Sequence, residues 1–89
     1  MFRLWVRTVH KNHILRDTII PDADPEKTRT HKVFDSLAEA CREFDLPVPI
    51  WLDANISEFQ RSAATRFTRD SFVEEVPFDF LEIRIVEED

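Results

Sequence analysis

Residues 2–9, FRLWVRTV, alternate in character: Phe2, Leu4 and Val6 fall on one side, Arg3, Trp5, Arg7 and Val9 on the other. A period of two in β-branched and aromatic side chains predicts a strand. Residues 14–20, ILRDTII, predict a second, and the short connection between the two predicts an antiparallel hairpin. Cross-strand pairing argues the register. A two-residue turn at Lys11-Asn12 sets Arg7 against Arg16 and Val6 against Asp17, both poor matches. A three-residue loop, Lys11-Asn12-His13, sets Arg7 against Asp17, Trp5 against Ile19 and Val9 against Leu15. Opposite charges and apolar pairs across strands contribute about 0.2–1 kcal/mol each, so the three-residue loop is preferred. One face then carries Phe2, Leu4, Val6, Thr18 and Ile20 as core. The other carries Trp5, Val9, Leu15 and Ile19, interleaved with Arg3, Arg7 and Asp17.

Residues 21–30, PDADPEKTRT, predict a polar, proline-containing loop. Phe34, Leu37, Ala38, Cys41 and Phe44 recur at three- and four-residue steps, which predicts an amphipathic helix over 31–45. Thr30 is a candidate cap, with Ser36 and Glu39 a later one. Pro47 and Pro49 stop the helix. Ile56, Phe59, Gln60, Ala63 and Phe67 predict a second helix behind an Asp53 cap. Residues 67–79 read as irregular structure pinned by Phe67, Phe72, Val76 and Phe78. FLEIRIVEE at 80–88 reads as a third strand, placed beside the first by analogy with small α+β folds. The expected fold is α+β: one domain over residues 1–89, β-β-α-α-β, with a three-stranded antiparallel sheet and two helices packed on one face.

Composition narrows the function classes. Apolar residues make up 43% of the 89, including eight Phe and two Trp, enough for a core of its own. Residues 1–50 balance eight Lys/Arg against eight Asp/Glu. Residues 51–89 hold four Arg against ten Asp/Glu and carry the whole net charge of −6. That balance lacks the footprint of a nonspecific DNA binder and the basic patch of a membrane-surface protein. Nucleic acid and membrane are therefore not expected partners. No long apolar run and no leader-like segment is visible, so a cytoplasmic protein is expected. Cys41 is the only cysteine and falls in the apolar register of the first helix, a small hydrophobe without a disulfide partner. Glycine is absent altogether, which excludes phosphate-cradling glycine loops and dinucleotide fingerprints. Backbone positions with positive φ must fall to Asn or Asp, the next most tolerant residues, Asn12 and Asn55 being the candidates.

Little in the chain points to chemistry. His10 and His13 bracket a turn without the helical spacing or cysteine pairs of a zinc site, and they read as solvated turn histidines. Arg61, Arg66 and Arg69, interleaved with Phe67, are weak candidates for single-strand nucleic-acid contacts. Residues 70–89 hold eight carboxylates and one Arg, a surface able to imitate DNA or simply to keep the chain soluble. No nucleophile is paired with a base and no cofactor motif exists, so no catalytic residue, cofactor or metal is assigned and no enzyme is expected.

LPVPIWL at 46–52, EF at 58–59, TRF at 65–67, DSFVE at 70–74 and FDFLEI at 78–83 resemble, over residues 33–85, a family of small uncharacterised bacterial proteins of about this length. The resemblance implies a compact module of conserved length; the family has no assigned activity, so no catalytic residue carries over. The expected function is a noncatalytic interaction module with an unidentified protein partner, self-association through the outer sheet face included. Its candidate surface is Trp5, Arg7, Val9, Leu15 and Ile19, since contiguous apolar surface with Trp and Arg marks partner sites. The alternative is a nucleic-acid-linked protein, through the arginine row or the acidic C-terminal third.

Overall fold

The first two strands meet at a two-residue turn. In the computed structural model, which describes residues 1–88, β1 (Phe2–His10) and β2 (His13–Asp22) pair antiparallel with His10 opposite His13. Lys11 and Asn12 both have positive φ, 50° and 66°, the requirement of a tight type I′ hairpin turn. The three-residue loop is thus corrected, yet Arg7 does face Asp17 and Trp5 does face Ile19. A β-bulge reconciles the two. Thr8 pairs with Arg16 and Val9 with Ile14, so Leu15 is the extra residue and the expected Val9–Leu15 pair does not form.

β2 runs on through Pro21 and Asp22, which leaves residues 23–28 as the loop instead of 21–30. Pro21 is tolerated because β2 is an edge strand. The loop is organised by its own carboxylates: Asp22 accepts from the Asp24 N–H and from Lys27, and Asp24 accepts from the Glu26 N–H. Thr28, not Thr30, caps α1 (Arg29–Phe44) by accepting from the His31 N–H. The helix ends in a Schellman motif, with Asp45 in the left-handed region, Leu46 N–H donating to Cys41 and Asp45 N–H donating to Arg42.

The buried stripe of α1 is Val33, Leu37, Ala40, Cys41 and Phe44. It is rotated from the expected one: Ala38 is half-buried, and Phe34 is 48% exposed, with its ring edge-on to Trp51. Helix α2 (Asp53–Ser62) stops short of Phe67. Leu52 is its cap residue, Asp53 its first helical residue, and Ala63 ends it at a φ of 54°.

Ala64–Thr68 form a strand, β3, with Thr65 and Phe67 inward and Arg66 and Thr68 outward. A single 3₁₀ turn (Arg69–Ser71) and an irregular stretch lead to β4 (Phe80–Glu87). Among the described residues the sheet therefore has four antiparallel strands rather than three, in the order β2-β1-β4-β3, and β4 lies beside β1 as expected. Phe67 belongs to this strand because its ring meets Trp51 at 4.9 Å and its backbone pairs with Leu81.

One core serves the whole. Phe2, Leu4, Val6, Phe67, Leu81 and Ile83 on the inner sheet face pack with the α1 stripe, Phe59 of α2, and Phe72, Val76 and Phe78. No helix among the described residues is long and apolar enough to cross a membrane.

Candidate functional site

Both helices pack their buried apolar residues into the core on the inner face, and among the described residues no helix lies over the opposite face of the sheet. Strand register lays that face out in rows. Across β2, β1, β4 and β3 one row reads Asp17, Arg7, Glu82, Arg66. The next reads Ile19, Trp5, Arg84, Ala64, and beyond it lie Pro21, Arg3 and Glu87.

Charges along the first row alternate in sign, and contacts follow the alternation. Arg7 Nε donates to Glu82 Oε1 at 2.6 Å, and a second guanidinium nitrogen meets the same oxygen. Arg66 stands 3.5 Å from the other carboxylate oxygen, and Arg84 reaches it at 4.0 Å. Glu82 is only 6% exposed, a buried carboxylate surrounded by three arginines; burial of such a charge is tolerable only with this compensation. The Arg7 guanidinium also lies 4.6 Å over the Trp5 ring, and the Arg66 guanidinium 4.5 Å over Phe80. Trp5 Nε1 donates to Asp17 at 3.0 Å, which fixes the indole on the face with its ring half-buried. At the end of the sheet, Arg3 donates to Glu87 at 2.6 Å.

The five residues expected to form this surface divide. Trp5 and Arg7 sit at its centre. Ile19 and Leu15 are about half exposed at the β2 edge, 52% and 49%. Val9 is buried, 7% exposed, between its ladder neighbours Ile14 of β2 and Phe80 of β4. The face is also less apolar than expected. Glu82 and Arg84 enter it from β4, expected beside β1, and Arg66 enters from β3, which was not expected as a strand.

The hairpin tip is tied down by Asp79. Its carboxylate accepts from the Lys11 N–H at 2.8 Å, meets His10 Nδ1 at 3.2 Å and lies 3.6 Å from Arg69. The Lys11 N–H, with His10 and Arg69 nearby, holds the Asp79 carboxyl below the usual carboxylate range. His10 and His13 do not converge with a third ligand; among the described residues no group of three His, Cys, Asp or Glu is placed to hold a metal.

The arginine row does not assemble. Arg66 is committed to Glu82 on the outer face, while Arg69 donates to the Phe78 carbonyl and leans to Asp79. Arg61 lies in the last turn of α2. Of the C-terminal carboxylates, Asp79, Glu82, Glu87 and Glu88 are engaged by arginines.

Two features were not anticipated. Asn55, expected at a positive-φ position, is helical. Its Oδ1 accepts from the Leu52 N–H, and its Nδ2 donates to Thr65 Oγ1 and to the Arg66 carbonyl. Trp51 is the centre of an aromatic cluster with Phe34, Phe59 and Phe67, at 5.8, 5.5 and 4.9 Å. Beside it a cleft of about 360 Å³ opens between α1 and α2, lined by Phe34, Trp51, Ile56 and Phe59 with Arg29 at one side. Cys41 is fully buried, and burial pushes its thiol up to about 11, which removes it as a nucleophile at neutral pH.

No family model, no curated protein and no solved structure matches this chain.

Proposed function

We propose that this chain is a noncatalytic interaction module that docks a protein partner on the outer face of its sheet. The observation that carries the reading is Trp5, held on an uncovered sheet face by Asp17, with Arg7 stacked on its ring and Ile19 exposed beside it. Tryptophan and arginine are the residues most enriched among those that dominate binding energy, and here they arrive pre-positioned, so little side-chain entropy remains to be lost on docking. The near balance of charge on the face favours a protein partner over nucleic acid, whose binding draws on a net positive surface.

The test is affinity capture from the host cell with the wild-type chain and with Trp5→Glu, each verified as folded by circular dichroism. A partner retained by wild type and lost with Trp5→Glu supports the reading. Identical partners on both counts against it.

A further inference from the structure

From the pattern of the outer face we infer that its occupant is a second copy of this chain, related by a twofold axis that runs along the strands midway between β1 and β4. The inference rests on the docking reading above and names its partner. A half-turn about that axis lays β1 of one copy over β4 of the other and leaves each row in place. Every outer residue of β1 then faces the β4 residue it already neighbours in its own sheet.

Arg3 comes opposite Glu87 of the second copy, and Arg7 opposite Glu82, so opposite charges meet on both sides of the axis. Trp5 comes opposite Arg84, a cation over an indole. Further out, β2 lies over β3, which sets Asp17 against Arg66 and Ile19 against Ala64. No like charges meet. The alternation Asp17, Arg7, Glu82, Arg66 changes sign when its order is reversed, which makes the row complementary to itself. An isologous interface demands that property, and a partner of one dominant charge does not. Two twisted sheets pack about 10 Å apart at about −30°, so the match is tightest over β1 and β4 and loosens towards β2 and β3. Arginine, glutamate and tryptophan are long enough to span that gap.

The sheet edges are less inviting than the face. β3 has only five residues, and β2 is interrupted by the bulge at Leu15 and by Pro21, two devices that discourage edge pairing. Four strands at about 4.8 Å and nine residues of β1 at about 3.4 Å give a face of about 19 by 30 Å, small beside the roughly 800 Å² per partner of a standard interface. A dimer in the micromolar range is therefore expected, monomeric when dilute.

Sedimentation velocity over a wide concentration range tests this with a pair of exposed charges. Arg3→Glu faces Glu87 with a like charge, and Glu87→Arg faces Arg3 with one, so each variant alone is expected to associate about tenfold more weakly than wild type. Mixed in equal amounts they are expected to regain association, because each then offers the charge the other needs. That recovery cannot come from contacts within one chain. Both positions are about half exposed, and circular dichroism of each variant confirms the fold. A wild-type chain that stays monomeric to millimolar concentration, or a dimer indifferent to all three samples, overturns the second copy. The docking reading fails on a different result, the identical capture by wild type and Trp5→Glu described above.

Discussion

Asn55 Nδ2 donates to Thr65 Oγ1 at 3.0 Å, and through that bond helix α2 holds the edge strand that follows it. Asn55 is 7% exposed and serves three backbone or hydroxyl partners at once. Asn55→Ala leaves the Leu52 N–H, the Thr65 hydroxyl and the Arg66 carbonyl without it. The expected cost is about 2 kcal/mol, read from urea unfolding. Because β3 is an edge, hydrogen exchange should quicken first at Ala64–Thr68 and leave the β1–β4 ladder slow.

Phe67 is fully buried between Trp51 and the sheet. Truncation to alanine is expected to cost about 3–5 kcal/mol. The expected signature in calorimetry is a single transition moved down in temperature. An equal loss from Phe34→Ala, whose ring is half exposed, would contradict the rotated stripe assigned to α1.

Cys41 should resist thiol reagents in the native chain and react once denaturant unfolds it. An Ellman titration with and without guanidinium checks this. Full reaction in native buffer would mean that the first helix opens easily.

Asp79 makes the stability depend on acid. Its carboxyl titrates below the ordinary 3.8 in the folded chain, so its ionised form favours folding. That contribution is fully present above pH 3.8 and is lost as pH falls through the lower folded value. Asp79→Asn should therefore be less stable than wild type at neutral pH, and the gap should close in acid. Urea midpoints measured at pH 7 and stepwise below pH 4 follow both. A gap that persists unchanged in acid would show that the hydrogen-bond geometry, and not the charge, does the holding.

The hairpin was legible because two signals agreed: the alternation of Phe2, Leu4 and Val6, and the match of Arg7 with Asp17. The turn was not, because sequence pairing cannot distinguish a longer loop from a tight turn followed by a bulge; both deliver the same register beyond the irregular residue. β3 was hidden for a different reason. Ala63 and Phe67 lie four and eight residues after Phe59, so they continue a helical period while Thr65 and Phe67 begin a strand period. Five residues give too short a run to decide. Tertiary contact decides, through the ladder to β4 and the ring of Trp51. Only the β3 part of the outer face was therefore out of reach: the hairpin supplied Trp5, Arg7 and Ile19, the strand expected beside it carries Glu82 and Arg84, and Arg66 needed β3.

Among the described residues four adopt positive φ in a chain that has no glycine: Lys11, Asn12, Asp45 and Ala63. For an alanine that conformation costs about 1 kcal/mol, and Ala63→Gly is expected to recover about 0.5–1 kcal/mol in urea unfolding. The wider consequence concerns the unfolded chain. Glycine is the residue that contributes most backbone disorder to a denatured ensemble, so a chain without it starts folding from a narrower set of conformations. The local strain at these four residues is thus set against a smaller entropy of unfolding, and heat should gain less from melting this domain than from melting one of equal size with ordinary glycine content.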